Sequence, residues 1–230
     1  MNFLDKIRSW SLKTKNFNTS PNEMLDNLIY FSKLINEYEH FVFFGTLLGL
    51  IRENNIIDGD DDIDFYINIK HRSDLIKKLK ANSIKVDQKI SFNTTDSFLQ
   101  VYREYNNKIF FIDFYFYDSE LDKDFIIEKW NFIGSPHINK NHLRVPKIFI
   151  FPIQCKQYKS TIINFPSQPI YICEYLYGPN WNKKIKKDKD YEMKIINNKP
   201  VLLEKRNIEK NIYFKKIFGK FYIRLKKKID

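Results

Sequence analysis

The sequence is poor in the residues that mark several protein classes. It has two cysteines in 230 residues, Cys155 and Cys173, so at most one disulfide is available. Neither has a second Cys or a His at ligand spacing, which argues against a structural zinc. Two buried, reduced thiols are the expectation. Six glycines and eight prolines exclude collagen-like or linker-rich architectures. The four histidines, His40, His71, His137 and His142, are scattered, and none suggests a catalytic role. No internal repeat is visible. No stretch reaches transmembrane length. The segment from Met1 to Thr19 lacks the continuous apolar run of a signal peptide, which predicts a cytoplasmic protein.

What is abundant is apolar and aromatic: 43% and 17% of residues. That is enough for one well-packed core. The net charge of +11 is unevenly placed. Residues 205–230 hold ten Lys and Arg against two acids, a net +8, leaving +3 for the rest. The body is therefore nearly balanced, which argues against a broad nucleic-acid-binding face. The expected division is a catalytic domain over 1–204 and a basic amphipathic helix over 205–230. In that tail Phe214, Ile217, Phe218, Phe221, Tyr222 and Leu225 recur at helical spacing opposite the basic residues. The pattern suits an interfacial helix on an anionic membrane surface, or a helix packed on the domain.

The pattern predicts a helix opened by Ser20-Pro21-Asn22-Glu23 and running to about Tyr38. A strand Phe41–Phe44 follows, then a Gly45-Thr46 turn and a short helix Leu47–Glu53. Ile63–Ile69 reads as a strand, Ser73–Lys80 as a helix and Ile84–Phe92 as a strand. Phe98–Tyr105 and Lys108–Tyr117 read as a hairpin about Asn106-Asn107. Asp118 to Pro169 gives mixed signals. Pro169–Tyr177 reads as a helix stopped by Gly178-Pro179, and Lys183–Asp190 as a charged surface segment. The order implies an α+β domain on a mixed sheet flanked by helices.

Chemistry concentrates in Asp58-Gly59-Asp60-Asp61-Asp62-Ile63-Asp64-Phe65. Most acidic clusters are solvated loops. Asp64, however, lies between Ile63 and Phe65 in a strand that should be buried. Strand residues i and i+2 share a face, so Asp62 and Asp64 point together. Carboxylates that close repel unless a cation or proton lies between them. Hard oxygen ligands suit Mg²⁺ or Mn²⁺. A Ca²⁺ loop is disfavoured, because Gly59 comes too early and no terminal Glu follows. Asp60 shares the face if the strand extends back that far. Just upstream, Gly45 and Thr46 end a buried strand before a helix, where backbone N–H groups can meet a phosphate. Arg52 could pair with a phosphate or form a surface ion pair. Asp113, alone in Phe111-Ile112-Asp113-Phe114-Tyr115, is costly to bury unpaired and reads as a third metal carboxylate.

These pieces resemble the nucleotidyltransferase superfamily, and in detail the LicD family of phosphocholine transferases, which includes fukutin-related proteins. The family's G-T-L-L-G-x-x-R is similar to Gly45-Thr46-Leu47-Leu48-Gly49-Leu50-Ile51-Arg52. Its I-P-W-D-D-D-I-D is similar to Ile57 to Asp64, with Asp58-Gly59 replacing Pro-Trp. Its F-I-D-I-F-P-L-D resembles Phe111 to Asp118, with Phe116 in place of Pro. Leu176-Tyr177-Gly178 resembles its closing motif. The resemblance implies a nucleotidyltransferase-like fold with catalytic Asp62, Asp64 and Asp113. It implies a metal site of Asp60, Asp62, Asp64 and Asp113 for Mg²⁺ or Mn²⁺, and donor contacts from Gly45, Thr46 and Arg52. The implied reaction moves phosphocholine or a polyol phosphate from a CDP-linked donor to a glycan or lipid-linked glycan acceptor, releasing CMP, in the cytoplasm or on the inner face of the membrane. Two alternatives are an NTP-using nucleotidyltransferase that releases pyrophosphate and a non-catalytic protein with a degenerate site. No nucleic-acid partner is expected.

Overall fold

The computed structural model describes residues 19–86, 97–128, 142–185 and 191–204. The basic tail, with the helix expected there, lies outside the described residues. So do residues 87–92 of the strand expected over Ile84–Phe92.

The first described helix, α1 (Pro21–Leu34), opens as the sequence dictates. The Ser20 side chain accepts from the Glu23 N–H, and the Glu23 carboxylate accepts from the Ser20 N–H at 2.8 Å. This reciprocal cap satisfies two donors that the first turn leaves without helical partners. The helix stops at Leu34, four residues before the expected end. Next come β1 (His40–Val42), α2 (Phe44–Arg52), β2 (Asp62–Asn68), a 3₁₀ turn (Ile69–His71), α3 (Arg72–Ala81) and β3 (Lys85–Val86). The hairpin β4 (Phe98–Tyr105) and β5 (Lys108–Tyr117) forms as expected. Asn106 and Asn107 take φ of 49° and 58°, the left-handed pair that such a two-residue turn requires. The stretch without clear signals holds β6 (Phe125–Glu128), β7 (Leu143–Pro146), the short α4 (Lys147–Ile150), β8 (Gln154–Tyr158) and β9 (Thr161–Phe165). α5 (Pro169–Tyr177) ends at Gly178, and β10 (Tyr191–Ile196) pairs with β11 (Lys199–Glu204).

Five strands make the central sheet, in the order β1-β2-β5-β4-β3. β2 and β5 run parallel; the other neighbours are antiparallel. Both faces of its centre are covered. On one face Phe65 and Phe114 stack at 5.8 Å, and Phe31 of α1 packs on Phe114 at 6.4 Å. On the other, Tyr66 stacks on Tyr115 at 5.4 Å and meets Phe43 and Phe44. This explains the apolar run in β5, where nine of ten residues are buried.

Two further expectations change. Gly45 and Thr46 are not a separate turn, because α2 already starts at Phe44. Phe44 itself has φ of 41°, a left-handed value that is strained for an aromatic residue. Ring contacts to Phe43 at 4.8 Å and Tyr115 at 4.9 Å hold it there. Of the two cysteines, Cys173 is buried but Cys155 is exposed, and both are free. Among the described residues no helix is long and apolar enough to cross a membrane.

Candidate active site

Parallel pairing of β2 with β5 sets Asp64 directly opposite Asp113. Both are buried, at 5% and 6% exposure. Asp62 opens β2 on the same face, half-buried. The preceding loop folds back so that carboxylate oxygens of Asp60, Asp61 and Asp62 lie within 4.8 Å of one another. Gly59, with φ of 79°, supplies the left-handed turn before them. Asp61, exposed, was not expected to join this group.

Asp64 is the electrostatic centre. Burial pushes its carboxyl well above the ordinary range, and the charges of Asp62, Asp113 and Asp60 push it further. A backbone N–H from Thr46 works in the opposite direction. Four carboxylates thus converge where a proton or a cation would relieve them.

The surrounding elements hold these side chains in defined ways. The first N–H groups of α2 lack helical partners, and that of Thr46 points at Asp64 Oδ2, 3.4 Å away. In return the Thr46 hydroxyl oxygen accepts the Asp64 N–H at 2.9 Å. Phe43 N–H also reaches the Asp64 carbonyl at 3.2 Å. Thr46 is fully buried, so its observed role is to clamp Asp64. Gly45 is required by a close approach: a Cβ there would sit 2.8 Å from Asp60 Oδ2 and 3.5 Å from Asp64 Oδ2. Gly49 serves the loop instead, since a Cβ would lie 2.7 Å from the Asn55 carbonyl.

The structure does not bring Arg52 to the carboxylates. It closes α2 seven residues after Gly45, about 10 Å along the helix axis. Its Nε and Nη2 donate to Glu53 Oε1 at 3.1 and 2.6 Å, and Lys184 meets the other Glu53 oxygen at 3.0 Å. Arg52 is thus ion-paired with Glu53 here. Sequence reasoning also missed Gln100. On β4, opposite Asp113, its Nε2 donates to Asp113 Oδ1 at 2.6 Å in a buried setting. The signal lies in the pairing of β4 with β5, which sets Gln100 across from Asp113.

The carboxylates, Gly45, Thr46 and Gln100 all fall within residues 37–168. Over that span, more than half of the chain, the sequence matches the family described as LicD/FKTN/FKRP, nucleotidyltransferase domain. The chain belongs to the LicD family. Its α+β architecture, a mixed sheet flanked by helices, is that of the nucleotidyltransferase-like fold, and membership points to a transferase. No curated protein matches the chain. Among solved structures it is similar to the lincomycin-bound lincosamide antibiotic adenylyltransferase LnuA, at 13% identity and a TM-score of 0.44. That match covers 67% of this chain and 87% of the other.

Proposed function

We propose that this LicD-family chain is a metal-dependent transferase that moves a substituted phosphate, such as phosphocholine or a polyol phosphate, from a CDP-linked donor to a hydroxyl of a cell-surface glycan. The observation that carries this reading is the buried facing pair Asp64 and Asp113, with Asp62 on the same face and Asp60 and Asp64 both beside Gly45. The donor set is all hard oxygen and strongly anionic, which fits Mg²⁺ or Mn²⁺. Asp62, Asp64 and Asp113 would hold the ion, with Asp60 beside them. Bound there, it would offset the charge of the donor diphosphate as the phosphorus–oxygen bond breaks.

The chain's own groups would do the rest. The acceptor hydroxyl oxygen forms a bond to the donor's substituted phosphorus, and the bond to the CMP oxygen breaks. CMP leaves with that electron pair, and the hydroxyl proton passes to Asp113, the carboxylate fixed by Gln100. The α2 N-terminus at Gly45 and Thr46 favours negative charge on the leaving side. The basic tail would bring the enzyme to an anionic membrane surface, where lipid-linked acceptors are assembled.

The test incubates the protein with Mg²⁺, a surface-glycan acceptor and CDP-choline, CDP-ribitol, CDP-glycerol or the four NTPs. Nucleotide products are followed by chromatography, with Asp113→Asn as the blank. CMP from one CDP donor, with matching mass gained by the glycan, supports the proposal. Pyrophosphate from an NTP, with a nucleotide left on the acceptor, overturns it in favour of nucleotidyl transfer.

A further inference from the structure

The carboxylate face of the sheet carries a second row of side chains beside the Asp64–Asp113–Gln100 row. Asp62 on β2 is in register with Phe111 on β5, Phe111 with Tyr102 on β4, and Tyr102 with Lys85 on β3. The side chains confirm that the row shares one face. The Tyr102 and Phe111 rings are 6.0 Å apart, and Lys85 Nζ lies 5.9 Å from the centre of the Tyr102 ring. Phe111 is buried at 5% and forms the floor, while Tyr102 is only half-buried. At about 4.8 Å per strand, Tyr102 stands roughly 10 Å from Asp62. Lys85 at the end of the row is paired with Glu104 at 2.9 Å, so the row ends in a neutral pair rather than an anion site.

The two sides of the carboxylate cluster therefore differ. On the β1 side stands the N-terminus of α2, whose Thr46 N–H faces the cluster. On the β4 side stand the two aromatic rings. Phosphoryl transfer places the attacking and leaving oxygens on opposite sides of phosphorus. The helix N-terminus suits the anionic leaving phosphate. The attacking hydroxyl then comes from the side of Asp113, and the body of its molecule extends over β4.

We infer that Tyr102, backed by Phe111, is a stacking platform for a sugar ring of the acceptor, set two strands, about 10 Å, from Asp62. This inference rests on the proposed phosphotransfer and names where its acceptor binds. A pyranose presents a flat C–H face that packs on an aromatic ring, while its rim hydroxyls reach toward Gln100 and Asp113. A nucleobase would also stack on such a ring, and the experiment distinguishes the two.

Saturation-transfer NMR on the full chain reads binding without turnover. The probes are methyl β-galactopyranoside, methyl β-glucopyranoside, N-acetylglucosamine and CMP. Wild type and Tyr102→Phe should both saturate the ring protons of at least one sugar. Tyr102→Leu and Tyr102→Ala, checked for unchanged melting, should weaken that sugar roughly fivefold and leave the CMP signal intact. Equal sugar binding in all four proteins, loss of CMP rather than sugar, or no transfer to any sugar in the wild type would overturn the inference. Because no donor is needed, failure here is distinguishable from failure of CMP release.

Discussion

Thr46→Val isolates the clamp on Asp64. β1 ends at Val42, so it offers the Asp64 N–H no further strand carbonyl; the Thr46 hydroxyl oxygen accepts it at 2.9 Å instead. Valine keeps the shape and branching of threonine and removes only that acceptor. The site is fully buried, so water cannot replace it. An unpaired buried N–H costs about 1–3 kcal/mol. For a domain of this size each kcal/mol shifts melting by about 2–4 °C, so Thr46→Val should melt about 2–12 °C lower in EDTA. Thr46→Ser keeps the acceptor and loses one methyl, at about 1 kcal/mol. Serine should therefore be the milder change, although valine is the better match in volume. The assay is urea denaturation and thermal melting of the three proteins without metal. If valine proves as stable as wild type while serine does not, packing governs the position and the clamp argument is wrong.

Other predictions follow from neighbouring contacts. Gln100→Met, which removes the 2.6 Å bond to Asp113, should weaken Mg²⁺ about ten- to hundredfold, read from the metal dependence of melting; unchanged affinity would exclude Gln100 as a positioning residue. Partial burial raises the Glu39 carboxyl, but hydrogen bonds from Tyr117, Asn68 and Lys70 outweigh it and bring it from 4.5 to about 2. Its stabilisation is therefore present above pH 4.5 and lost as pH falls toward 2, so Glu39→Gln should flatten the acid limb of the stability curve over that window. The full chain should co-sediment with anionic liposomes, less so in high salt, and a chain ending at Lys205, just beyond β11, should not; equal sedimentation would place membrane contact elsewhere or nowhere.

The features that repeat every second residue were readable without coordinates. Asp62 and Asp64 on one face, Asp113 in an apolar strand and the Asn106-Asn107 hairpin all follow from strand periodicity and turn chemistry. Legibility stopped where a residue's role depends on what lies across from it. Thr46 and Gly45 looked like a phosphate-binding turn. That they also hold Asp64 and adjoin Asp60 is set by how α2 meets β2. Gln100 became visible only once β4 was registered against β5. Arg52 fitted the family pattern, yet the helix carries it away from the carboxylates to Glu53. The start of α2 was misplaced because a left-handed Phe44 is held by ring packing that local propensity does not encode. Residues 118–169 were opaque because the strands described there, four or five residues each, are too short to show a period.

The most direct test is a Mg²⁺ titration of thermal melting for wild type, Asp62→Asn, Asp64→Asn and Asp113→Asn. Wild type should gain stability with saturation, about 2.7 kcal/mol at a hundredfold excess over Kd. Each variant should gain much less, and metal-free Asp64→Asn should melt at or above wild type, because three carboxylates no longer crowd a fourth. Equal Mg²⁺ shifts in all four proteins, or none in the wild type, would contradict the assignment of the cluster as a metal site.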